Sequence, residues 1–322
     1  MSTLTKIGII VDAGATLGYG HAVRCLRLAA ALEEESSITF YPMSEPCASF
    51  LQEMAPNAEI RSPKSEMSSL PPVVITDLRE AHGITATIRR NGSRHISIHD
   101  LGLAQVHSDV VIDGSVTRLF PYAKEKNRTL FLGPKYMITR NRVRRSTSSD
   151  TVLVTFGGGS TANFAARVSE EVWNAGLTPV TTRGFVGTTP MSDEEFAEAM
   201  ATCRFAISGS GVTLYDLLAS GVPTIAVAFD RIQLRTADAF HERGAVLSAG
   251  LIQRLAPGML QGVCKELLGN RSLSQRLSEA GQMLVDGKGL SRVVEIVRRQ
   301  LWLTSQMKTY SACYQEIPSA SM

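Results

Sequence analysis

The chain has 322 residues, 44% hydrophobic and 20% charged, with a net charge of +3; it can build two cores, and is neither a disordered chain nor a strongly basic nucleic-acid binder. Its five cysteines are odd in number, far apart and never in a C-x-x-C pair, which points away from a disulfide framework or zinc site and toward reduced thiols in a cytoplasmic protein. No stretch reaches the roughly 18–20 continuous apolar residues of a membrane span; the best, residues 217–229, is broken by Pro223.

Taken in chain order, continuous apolar runs of strand length occur at residues 6–12, 38–43, 73–77, 95–100, 109–114, 151–157, 178–184, 205–209 and 224–229. Runs of this kind, separated mostly by helical or loop patterns, predict buried parallel strands in α/β units. Glycine-rich turns follow two of them, at 14–20 and 157–159, as though the pattern restarts, so two Rossmann-like domains are expected. The first should span residues 1–140 and the second 149–303. The join falls within 136–150, where Arg140, Arg142, Arg144 and Arg145 give way to serines and threonines. With no flanking exposed Trp, Phe or Leu, that basic cluster reads as a solvated hinge more readily than as a membrane anchor. Residues 304–322 lose the pattern and read as a flexible tail.

The first glycine loop ends in Gly18, Tyr19, Gly20 and His21, and from His21 onward Val23, Leu26 and Ala30 share a helical face, with Arg24 and Arg27 off it. His21 is therefore expected in the first turn of a helix, where the dipole disfavours imidazolium and a neutral ring can accept a proton. Spacing alone equally allows a histidine that only packs there. The second loop, Gly157, Gly158, Gly159 and Ser160 before a helix, has the shape of a phosphate cradle. It also satisfies the loose dinucleotide fingerprint at Gly157, Gly159 and Ala162, but the next strand ends in Arg183 instead of an acid, a poor match for NAD. A third cluster closes a strand with Ser208, Gly209, Ser210 and Gly211, opens a helix at Val212 and Thr213, and puts Asp216 on its first turns, with Gln233 in a later loop. That arrangement describes a nucleotide site without a metal, with Asp216 placed for a ribose diol; a plain strand-to-helix packing junction is the alternative. His82, His95, His99, His107 and His241 are scattered without metal-pair spacing and read as surface or satisfied structural histidines.

In order, GYGHAVRCLRLA (18–29), LGPKYMI (132–138), VLVTFGGG (152–159) and ISGSGVTLYDLLASGVPTIAVA (207–228) with Gln233 resemble the UDP-sugar hydrolases of pseudaminic acid biosynthesis. They are similar also to the wider family of spore-coat-type polysaccharide biosynthesis proteins, the likeness covering residue 7 to about 250. The third cluster resembles inverting two-domain glycosyltransferases more broadly. The resemblance implies a GT-B architecture, a cleft between domains, and His21 as the catalytic base. It places Gly18, Tyr19, Gly20, Arg24, Asp77 and Tyr136 on the substrate side. UDP would be held by Gly157, Gly158, Gly159, Ser160, Ser210, Gly211, Val212, Thr213, Asp216 and Gln233, with no metal and no cofactor. The implied reaction is hydrolysis of the anomeric C–O bond of a UDP-sugar with inversion. The alternatives are an inverting UDP-sugar glycosyltransferase and a non-catalytic nucleotide-sugar binding subunit. The partner expected is the UDP-sugar, with neither nucleic acid nor stable membrane insertion. The chain departs from the family in having Ser160-Thr161 for Asp-Pro, Asp216 for Glu, a single aspartate at Asp100, and no Asn before Gln233; these differences bear on sugar specificity more than on the chemistry.

Overall fold

The computed structural model describes residues 4–14, 17–61, 69–79, 83–99, 101–102, 107–122, 127–146, 149–156, 162–182 and 191–315, with side chains up to 306. Its first half contains β1 (Thr5–Val11), α1 (Gly20–Ala30), β2 (Ser36–Pro42), α2 (Glu45–Met54), β3 (Glu59–Ile60), β4 (Val73–Asp77), α3 (Ile84–Arg90), β5 (Arg94–His99), β6 (Val110–Asp113) and β7 (Thr129–Leu132). These strands form one sheet in the order β3-β2-β1-β4-β5-β6-β7, every neighbouring pair parallel. The continuous apolar runs have a simple cause: β1 is covered on both faces. Ile7, Ile9 and Val11 join one core and Ile10 the other.

The second half contains β8 (Thr151–Thr155), α4 (Ala162–Asn174), β9 (Thr178–Thr181), α5 (Asp193–Thr202), β10 (Phe205–Gly209), α6 (Val212–Ala219), β11 (Thr224–Ala228), α7 (Arg231–His241) and β12 (Leu247–Leu251), then α8 (Met259–Gly269), α9 (Arg271–Leu284) and α10 (Gly289–Gln315). Its sheet runs β12-β11-β10-β8-β9 and is again parallel throughout. All nine apolar runs become strands. The pattern does not mark β3, β7 or β12: β3 has two residues, β7 is only partly buried, and β12 carries Ser248, Ala249 and Gly250 in place of bulky side chains.

Three expectations need correction. Residues 304–315 continue α10 instead of fading into a tail, and Val293, Val294, Ile296 and Val297 of that helix pack into the first-half core with Ile7 and Ile9. The chain thus returns to its first sheet. Of the basic cluster only Arg142 and Arg144 are exposed as a solvated hinge would have them. Arg140 pairs with Asp193 and lies 4.9 Å over the Phe196 ring, while Arg145 donates to the Met200 and Cys203 carbonyls. In α1 the buried face is Ala22, Cys25 and Leu28, one residue away from the expected stripe, because the fully buried Arg24 also occupies that side. Among the described residues no helix is long and apolar enough to cross a membrane.

Candidate active site

In an open parallel sheet, ligands gather beyond the strand C-termini where the strand order reverses. The first sheet reverses between β1 and β4 and the second between β8 and β10. The loops leaving those four strands carry the motifs singled out in the sequence.

At the first reversal, the β1–α1 loop is closed by Gly18 N–H donating to the Gly14 carbonyl at 2.7 Å. Gly18 sits at φ +80, a left-handed conformation that glycine adopts without a Cβ clash. Tyr19 caps α1 with no side-chain bond to it and stacks on Phe50, ring centroids 4.6 Å apart. His21 then falls in the first turn, with Nδ1 2.7 Å from Oδ1 of Asp77, the last residue of β4. Val11 and Asp77 are register partners, which is why the loop after β1 drops His21 onto this carboxylate.

Asp77 is 0% exposed and is gripped by Arg24, itself 1% exposed, through Nη2 at 2.6 Å from Oδ1 and through Nε to Oδ2. Burial pushes the Asp77 carboxyl up, but Arg24 and then His21 outweigh it and hold the group well below the usual carboxylate range. An ionised carboxylate only accepts, so the proton in the His21 contact belongs to Nδ1, which leaves Nε2 as the nitrogen not engaged by Asp77. The dipole argument for His21 is therefore incomplete, because the orienting carboxylate behind the ring sets its tautomer. Arg24 and Asp77, expected among substrate contacts, are instead the buried support of His21. Tyr136 is corrected too: it packs edge-on to Phe131 at 5.5 Å against the first core, and Met137 lines the cleft in its place.

At the second reversal, α6 begins at Gly211 with no side-chain cap, so its first N–H groups and positive dipole end face the cleft. Ser210 Oγ, buried there, has no hydrogen-bond partner among the described residues. A cavity of about 710 Å³ joins the two halves and is lined by Gly18, Tyr19, Gly20 and His21 from one side and by Ser210, Gly211, Val212, Thr213, Asp216 and Gln233 from the other. The two helix starts nearly touch, since a Cβ on Gly20 would lie 3.2 Å from Val212 Cγ2.

Asp216 lines this cavity but is already engaged. It accepts from Arg140 N–H at 2.8 Å, with Arg27 Nη1 at 3.7 Å and Arg140 Nε at 3.5 Å. Burial pushes its carboxyl up, against the opposing pull of Arg27 and Arg140. Gln233 stands in the first turn of α7 and not in a loop, its N–H donating to the cap residue Asp230 at 2.8 Å. Gly157, Gly158, Gly159 and Ser160, with Asp100 and Arg183, lie outside the described residues; Thr155 and Phe156, just before the glycines, line the cavity. His95 and His99 are buried, bonded to Thr76 and Ser97 at 2.9 and 2.7 Å, as structural histidines. Phe50, Arg27, Arg140 and Phe196 also line the cavity and carried no local signal, since their neighbours come from distant parts of the chain. Among the described residues no group of His, Cys, Asp and Glu is placed to hold a metal.

No protein-family model matches the chain. Solved structures with similar folds include a glycotransferase of kitacinnamycin (TM-score 0.64, 15% identity, 92% of this chain and 99% of that one). LpCGTa in complex with UDP is similar as well (TM-score 0.66, 12% identity, 92% and 99%). The architecture is thus GT-B, two Rossmann-like domains facing across a cleft. In sequence the chain is similar to the spore coat polysaccharide biosynthesis protein SpsG of Bacillus subtilis (strain 168), 25% identical over 335 residues that span 91% of this chain and 97% of that protein.

Proposed function

We propose that this chain is an inverting, UDP-sugar-dependent glycosyltransferase of polysaccharide assembly. One observation carries the reading: the Asp77–His21 pair faces the uncapped start of α6 across a single cavity. UDP lies with its diphosphate at Gly211, Val212 and Thr213. His21 Nε2 takes the proton from an acceptor hydroxyl, and that oxygen bonds to the sugar C1 from the face opposite UDP. The C1–O bond to the β-phosphate breaks, and its electron pair leaves with the diphosphate. Helix N–H groups offset the growing negative charge, and Asp77 stabilises the imidazolium that forms. A positioned base of this kind contributes roughly 10²–10⁴-fold in rate. Support comes also from the printed role of the similar SpsG protein in polysaccharide biosynthesis, and from the apolar shelf of Leu17, Tyr19, Phe50, Met54 and Leu78 on the His21 side, room that a water nucleophile does not need.

A second reading, hydrolysis by the same pair, is favoured by the Gly18-to-Cys25 element, which carries the resemblance to UDP-sugar hydrolases. Product analysis separates the two. Incubation with a panel of UDP-sugars, with and without glycan acceptors, should release UDP in step with an inverted glycoside and only with acceptor. Equal release of UDP and free sugar without acceptor would establish hydrolysis, and UDP binding without turnover would contradict both.

A further inference from the structure

Arg27 follows His21 on α1, about 9 Å further along the helix, and lines the same cavity. Its side chain is only 16% exposed, and its buried Nη1 makes no hydrogen bond among the described residues. The carboxylate it faces is Asp216 of α6, 4% exposed and 3.7 Å away. Burial pulls the guanidinium below its ordinary value, and Asp216 opposes that pull most strongly. Arg27 comes from the first half of the chain and Asp216 from the second, so the ion pair crosses the cleft. A cation this far from water resists losing its partner, while Asp216 is held on its own side by the Arg140 N–H at 2.8 Å. The same two helices meet again at their starts, where a Cβ on Gly20 would lie 3.2 Å from Val212 Cγ2. That contact limits how closely the helices approach, and the Arg27–Asp216 pair opposes their separation. The two act at opposite ends of one stretch of α1, so they resist tilting as well as sliding, and His21 lies between them.

We infer that Arg27 is a positioning residue: through Asp216 it holds the helix that carries His21 at its working distance from the start of α6. The inference rests on the proposed function for the roles of those two helix starts. Arg27→Gln and Arg27→Lys would be compared with wild type for UDP affinity by calorimetry, and for kcat and KM with the UDP-sugar and acceptor that product analysis selects. Arg140 stays on Asp216 in both variants, so the carboxylate is not stranded and both should fold, which their melting temperatures check. Arg27→Gln should turn over roughly ten- to a hundredfold more slowly, the scale on which a misplacement of about 1 Å acts, with UDP affinity within about threefold of wild type. Arg27→Lys, which keeps the charge on a shorter reach, should recover part of the rate. In the Asp216→Asn background, Arg27→Gln should slow turnover little further, because its partner is already gone. Unchanged kcat in both variants, a rate lost only in step with UDP affinity, a lysine variant no faster than the glutamine one, or losses that multiply in the double variant would each overturn the inference and leave the proposed function standing. A wild type without turnover would overturn the proposed function and this inference together.

Discussion

Behind the His21 ring, Asp77 at the end of β4 and Arg24 of α1 are buried together, an arrangement that the proposed base requires and that a histidine packing alone does not. Removing the carboxylate takes its anionic partner from the buried Arg24, a loss that for buried pairs costs about 3–5 kcal/mol. It also frees the imidazole to take the wrong tautomer. Asp77→Asn is therefore expected to lower both the melting temperature and kcat, the latter by roughly 10²–10⁴-fold. The pH dependence has a definite sign. A carboxylate held below its unfolded value stabilises the fold above that value, near ~4, and the contribution is lost as pH falls toward the folded value. Melting temperatures of the wild type should fall below about pH 4, and those of Asp77→Asn should fall less; parallel curves would mean that Asp77 carries no such linkage. At this scale the sequence placed His21 in the first turn of a helix, because two glycines precede it and the helical pattern starts there, and the structure has it there. The pairing with Asp77 was not legible, because its partner lies 56 positions away and only the parallel register brings them together.

Among elements, the strands were the most legible, since a strand covered on both faces must be apolar at every position, as β1 is. Helix faces were less so. Arg24 interrupts the buried stripe of α1, and without its buried partner in view a charged residue reads as solvent-facing. The return of α10 to the first core depends on long-range packing that periodicity cannot assign to one sheet or the other. Its start is tightly constrained: a Cβ on Gly289 would lie 1.9 Å from the Met137 carbonyl oxygen, and one on Gly114 2.6 Å from Met137 Cα. Met137 thus passes between two glycines where the chain crosses from one domain to the other. Gly289→Ala must push backbone aside, so a loss of about 1–3 kcal/mol or more is expected, read as a melting temperature lower by several degrees. An unchanged melting temperature would show that the crossing has room to spare. The clasp beside it, Arg292 on Asp286 at 2.7 Å with a further bond to the Lys135 carbonyl at 2.8 Å, holds the Asp286 carboxyl down to about 2, chiefly through the Arg292 hydrogen bond. By the same sign, that clasp contributes above the unfolded value and is lost as pH falls toward 2.

For the whole molecule, the GT-B layout brings the start of α1 from the first half and the start of α6 from the second to one cavity, and the proposed function gives the base to the first and the nucleotide to the second. Asp216, which lines the cavity, also ties Arg27 of α1 to Arg140 of the crossover, so the two halves are linked electrostatically at the cleft. Opposing helix starts separated by Gly20 and Val212 make the cleft narrow at that point, and the account requires binding and chemistry to be separable across it. The most direct measurement is UDP affinity by calorimetry together with kcat, both for wild type and for His21→Asn, using whichever UDP-sugar and acceptor the product analysis selects. The account predicts a kcat lower by roughly 10²–10⁴-fold with UDP affinity essentially unchanged. A His21→Asn variant that retains most of its turnover, or loses turnover only in proportion to lost UDP affinity, would contradict it.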